Sequence, residues 1–201
     1  GRACGDTVPQ EHPPLEMIYF IGDWYGTDSR EYADGEEVSA KLMNRTGQGQ
    51  VDIAVAPEVS VEMDSRQARP YPPAKVRVNG DPFPTAATGE ITLTWAHRDR
   101  LLQADQLIDG EQDSIGPEPG TTYNVRWFIN GVLFHSEDGI AGTTASYSPS
   151  AGGIMRVELE SERDGLVSWQ TQVREFPVGS PLLAEDDTVI TAEDGDAIIM
   201  G

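Results

Sequence analysis

The sequence predicts an all-β protein, and three observations carry that prediction. Apolar residues alternate with polar ones in short runs: Ile91, Leu93 and Trp95; Tyr123, Val125, Trp127 and Ile129; Met155, Val157 and Leu159. Alternation at period two puts each set on one face of a strand. Asn130-Gly131 directly follows the second run, and both residues tolerate positive φ, so the pair marks a two-residue hairpin. Finally, the first third of the chain yields several strand patterns and no helix.

Gly1 to Pro14 carries three Pro and two Gly without an apolar period and reads as an irregular lead-in. It begins at Gly1 in a loop-like stretch, so either the N-terminus was processed or the chain is a piece of a longer protein, and a piece is the expectation. A small β-domain is expected over residues 15–68. Leu15 to Tyr25 is rich in β-branched and aromatic residues and reads as a buried strand. Ala33-Asp34-Gly35 reads as a turn, and Glu37 to Asn44 as a strand with Val38, Ala40 and Leu42 alternating. After the Gly47-Gln48-Gly49 bend, Val51, Ile53 and Val55 predict one more strand, and Val59, Val61 and Met63 another.

Arg69-Pro70-Tyr71-Pro72-Pro73 reads as a stiff linker, because its prolines have fixed φ and lack the N–H a sheet needs. A second domain is expected over residues 74–178. Ala74 to Val78 and Glu90 to Ala96 are its first strands, with a turn at Asn79-Gly80-Asp81-Pro82 between them. Arg98 to Gly120 is a long polar excursion with a short helical turn over Arg100 to Leu107; loops of this length are often functional. Thr121 to Ile129 pairs with Val132 to His135 across the hairpin. Thr143 to Tyr147, Ile154 to Glu160 and Val167 to Phe176 complete about seven short strands, the count and spacing of an immunoglobulin-like sandwich. In the acidic tail, residues 179–201, Ala184-Glu185-Asp186 recurs as Ala192-Glu193-Asp194. Each acidic turn precedes an apolar pair, Val189-Ile190 or Ile198-Ile199, that needs a neighbour to bury it.

The formal charge is −20, from 34 acidic against 14 basic residues. Nucleic acid and anionic membranes need basic surface, so the balance argues against both. Cys4 is the sole cysteine, which excludes an internal disulfide and a Cys-based zinc cluster. The longest apolar runs, such as Met17 to Ile21, fall far short of the ~20 residues a membrane-spanning helix needs, and membrane insertion is not expected.

For chemistry, no G-x-S-x-G elbow accompanies the histidines, so His12, His97 and His135 read as ordinary surface or edge residues. Asp186-Asp187 and Glu193-Asp194-Gly195-Asp196 are oxygen-rich but lack the spacing of a calcium loop. Gly47 and Gly49 lack the third glycine and helix of a dinucleotide loop. Trp95 and Trp127 read as core, Trp169 as near an edge, and Trp24 and Tyr25 as the aromatics most available to a sugar ring. The expectation is therefore no catalytic, cofactor-binding or metal-ligating residue, no cofactor and no enzyme.

Two resemblances follow. Ile91 to Trp95, Tyr123 to Trp127 and Met155 to Gly165 followed by Ser168-Trp169 resemble the B, C and F–G segments of a fibronectin type III module, with Met155 where that module usually has Tyr. Tyr32 to Glu36, Arg45 to Gly47, Arg66 to Pro73 and Trp95 to Arg100, with the repeated acidic turns, resemble the C-terminal region of tail-tip or baseplate hub proteins of tailed bacteriophages and gene transfer agents. That resemblance implies a virion structural protein at the tail tip. It further implies docking to other tail proteins, fibre or hub, or to a host-surface receptor or glycan, and homo-trimeric assembly. Unpaired strand edges are where a partner strand would add. The rival readings are a carbohydrate-binding or polysaccharide-degrading module and a bacterial extracellular adhesion module.

Overall fold

The computed structural model describes residues 7–8, 14–15, 30, 32–103, 106 and 108–179. Cys4, His12, Trp24, Tyr25, nearly all of the strand expected over Leu15 to Tyr25, and the acidic repeat lie outside the described residues. Among those described, the chain is nearly all strand, with one four-residue helix. It divides into two units, one of residues 12–68 and one of residues 1–11 with 69–201.

In the smaller unit, β1 (Glu37–Lys41) pairs antiparallel with β4 (Glu58–Glu62), and β2 (Arg45–Thr46) with β3 (Gly49–Gln50). The β1–β4 register sets Val38 opposite Val61 and Ala40 opposite Val59 on one face, with Ser39 opposite Ser60 on the other. The two serine hydroxyls hydrogen-bond at 2.7 Å. The strand expected from Val51, Ile53 and Val55 does not form. Asp52 captures the local backbone instead: its carboxylate accepts from Ala54 N at 2.8 Å and its carbonyl from Val55 and Ala56, an Asx turn that competes with extended pairing.

The larger unit is a two-sheet sandwich. One sheet has the order β5 (Ala74–Val78), β6 (Ile91–Ala96), β9 (Thr144–Tyr147). The other has β8 (Val132–Ile140) beside β7 (Thr122–Ile129), then β10 (Gly153–Arg163), whose far side carries β11 (Leu166–Val167) and β12 (Gln172–Val178). A three-stranded sheet facing a five-stranded one, in this chain order, is a fibronectin type III-like arrangement. The inward positions form one core of Val76, Val78, Ile91, Leu93, Trp95, Tyr123, Val125, Trp127, Met155, Leu159 and Phe176 among others. Met155, at the position where a fibronectin type III module usually has tyrosine, is fully buried there.

Two expectations change in this unit. The strand expected over Val167 to Phe176 is broken into β11 and β12, because the Ser168 side chain takes over the ladder: its hydroxyl oxygen accepts from Ser161 N at 3.3 Å and its O–H donates to Gln170 O at 3.0 Å. The proline-rich stretch read as a linker lies on the sandwich. Pro70, Pro72 and Pro73 are buried, the Arg69 guanidinium donates to Val167 O at 3.1 Å, and Gln172 Nε2 donates to Pro73 O at 2.8 Å. In the lead-in, Val8 N donates to Gln170 Oε1 at 2.8 Å. The sandwich unit thus holds chain on both sides of residues 12–68, so the smaller unit is an insertion into it.

Candidate docking surface

The long excursion between β6 and β7 is a candidate site by length alone, and its side chains are spent on holding it. Arg98 is buried and donates to four carbonyls, those of His97, Asp113, Asp109 and Gln112; burial lowers its pKa from the ordinary guanidinium value. Asp99 caps α1 (Arg100–Gln103), its carboxylate accepting from Leu101 N and Leu102 N, while Gln103 Oε1 accepts from Asp99 N. That is a reciprocal cap on the first turn. α1 covers the first four residues of the Arg100 to Leu107 turn read from sequence; Ala104, Asp105 and Leu107 lie outside the described residues.

Glu118 lies buried between two arginines. Arg100 binds it bidentately, Nε to Oε2 at 2.9 Å and the terminal nitrogen to Oε1 at 2.7 Å, and Arg163 reaches Oε1 at 3.0 Å. The hydrogen bond from Arg100 is the main cause holding the Glu118 carboxyl below the usual carboxylate range, against burial, which raises it. Beneath the loop, His97 Nδ1 sits 2.6 Å from the Tyr123 hydroxyl. Burial pushes the His97 pKa down and the Tyr123 pKa up, so it favours the neutral form of both rings across this contact. His97 is thereby a packing partner of the core.

A cavity of about 70 Å³ lies beside this loop, lined by residues including Val76, Phe83, Arg98, Gln103, Gln172 and Arg174. Its two arginines donate to protein carbonyls, Arg174 to Pro82 O at 2.6 Å and Val173 O at 2.8 Å. They are committed to closing the protein around the void. Among the described residues, no three His, Cys, Asp or Glu side chains gather to hold a metal ion.

The surface that stands out is the β7–β8 hairpin. Asn130 and Gly131 have φ of 50° and 79°, the two positive values of a type I′ turn. Asn130 also anchors the tip: its N–H donates to Ile154 O at 2.8 Å and its Oδ1 accepts from Ile154 N at 2.9 Å. A Cβ on Gly153 would come within 2.6 Å of that Oδ1, so this approach requires glycine. β8 then runs back along β7 as the last strand of its sheet.

Its opening residues, Val132, Leu133 and Phe134, are all at least half exposed. Leu133 pairs with Phe128 and Arg126 with Ser136, while His135 pairs with buried Trp127. Leu133 and Phe128 therefore share the outer face, where Ile154 of β10 is also exposed. The Arg156 guanidinium sits 5.0 Å from the Phe128 ring centre. On the inner face, His135 stacks on Tyr147 of the opposite sheet at 5.3 Å and lies 3.4 Å from a Glu137 oxygen. A second apolar face occurs on the β1–β4 ribbon, where Val59 and Val61 are exposed.

Of the residues singled out by sequence, Trp95 and Trp127 are core, Trp169 is partly exposed with Arg69 over its ring, and His135 is at the β8 edge. Sequence reasoning passed over Val132 to Phe134. Three consecutive apolar residues cannot all face one side of a strand, and that is the signal that would have found them.

No family model matches this chain, and no curated protein matches it. Among solved structures it is similar to the crystal structure of the rat CD45 extracellular region, domains d3-d4. That likeness has 9% identity and a TM-score of 0.39, covering 85% of this chain and 79% of that one. At that score it carries no inference.

Proposed function

We propose that this chain is a virion structural protein of a phage or gene-transfer-agent tail tip, whose β-modules dock other tail proteins or attach to the host surface. The tail-tip assignment rests on the sequence resemblance, and the docking mode on one structural observation: large apolar side chains stand exposed on strands at β8 and on the β1–β4 ribbon. Clustered exposed apolar residues on an ordered framework mark protein contact surfaces. No side-chain chemistry is needed for this role; shape and strand pairing suffice. Mass spectrometry of purified particles from the source genome, with cryo-electron microscopy of the tail tip, tests the reading. Density fitting both units at the tip supports it, and particles lacking the chain overturn it.

A further inference from the structure

We infer that the β8 edge is a strand-addition site for an extended segment of a partner protein that is apolar in one half and basic in the other. The inference deepens the docking reading above and rests on it.

An open sheet edge is a template for another strand, and proteins guard the edges they do not use. The other edges of this sandwich are guarded. β5 is irregular at Lys75, whose φ is 49° and whose N–H is taken by Gly110 O. β9 is only four residues long. β12 contains Pro177, whose carbonyl accepts from Ala87 N, and Ala87 forms a bridge with Val178. β8 is nine residues long and pairs on one side only, with β7, among the described residues; its register shifts opposite Trp127–Phe128 and Tyr123–Val125, and Val132 and Leu133 lie before the first shift. Its first three residues carry neither charge nor proline.

The chemistry of the occupant follows from what β8 presents along its length. Leu133 and Phe134, with Phe128 and Ile154 behind them, offer apolar surface at the hairpin end. Glu137 and Asp138 follow on the same strand, within a chain of charge −20. An added strand with apolar side chains beside Leu133 and Phe134 and a lysine or arginine beside Glu137 and Asp138 matches both halves. A second copy of this chain would bring another −20 to the contact, so charge favours a basic partner over self-association.

The test uses the full 201-residue chain and a nonapeptide with valines in one half and lysines in the other, with a control nonapeptide in which glutamates replace the lysines. Backbone hydrogen exchange should slow across residues 132–140 with the lysine peptide and not with the glutamate peptide. Replacing Leu133 and Phe134 together by lysine should weaken binding at least tenfold. A threonine pair at the same positions keeps strand-forming side chains and should weaken it as well; unchanged near-ultraviolet circular dichroism verifies folding. Protection elsewhere, no protection, or equal binding by the variants overturns the proposal. Protection of these amides without peptide, growing with protein concentration, also overturns it and makes a second copy the occupant. Each of these failures leaves the tail-tip reading standing, because that reading falls only if particles lack the chain.

Discussion

Buried polar residues hold the long loop through partners distant in sequence. Glu118 is fixed by Arg100 and Arg163, and its folded pKa is lowered from the ordinary value of 4.5. The stability it contributes is therefore fully present above its unfolded pKa and is lost as pH falls through the lower folded value. Urea titrations from pH 6 down to pH 3 should show this loss, and Glu118→Gln should flatten the dependence while costing about 2–3 kcal/mol at pH 7. An equally steep acid loss in the variant would assign the effect to other carboxylates. Nearby, Gly116 has φ of 88°, and a Cβ there would lie 2.7 Å from Asp99 Cβ and 2.9 Å from Glu118 N. Gly116→Ala should thus cost about 1–3 kcal/mol, measured as a lower urea midpoint, and a neutral result would mean the loop yields cheaply. None of this was legible in the sequence. Arg98, Asp99 and Glu118 read there as members of a polar loop, since nothing local tells a buried acid from a solvated one. Trp95 and Trp127 were legible as core, because alternation places them on the face that packs.

Strands whose inward residues meet an opposing sheet were readable from their period; strands without one were readable only as strands. The runs Ile91 to Trp95, Tyr123 to Ile129 and Met155 to Leu159 are buried as alternation required. β1 and β4 alternate just as clearly, yet Val59 and Val61 are exposed, because period two states which residues share a face and not what covers it. The same distinction predicts mutational cost. Leu159→Ala in the sandwich core should cost about 2–5 kcal/mol, whereas Val59→Ala on the ribbon should stay within about 0.5 kcal/mol. Equilibrium denaturation of both variants checks this, and a comparable loss at Val59 would reveal a packing partner for that face. The Asp52 turn and the Ser168 break escaped the period argument for one shared reason. A short polar side chain offered the backbone a closer partner than the neighbouring strand.

At the scale of the molecule, the sequence made the two-part β organisation legible but suggested domains in series, since an insertion shows only when both flanking segments are seen on the same unit. The charge balance was fully legible, and it carries the remaining prediction. Against 34 acids stand 14 bases, and several of those bases are already engaged, Lys75 with Asp113, Arg77 with Glu111 and Arg156 with Glu158. Such short surface pairs are worth little each and are weakened by salt. The uncompensated acids repel over longer distances, and folding brings them closer than in the extended chain. Screening shortens the range of that repulsion from about 10 Å at 0.1 M to about 3 Å at 1 M salt. Repulsion spread over the excess of acids should outweigh the few pairs, so thermal midpoints at pH 7 should rise as sodium chloride is increased from 0.05 to 0.5 M. Sodium chloride is the salt to use, since sulfate would raise the midpoint through preferential exclusion alone. A falling midpoint would mean that local ion pairs, with the Arg100–Glu118–Arg163 cluster foremost, dominate the electrostatics of the fold, and the acidic excess would then be energetically silent.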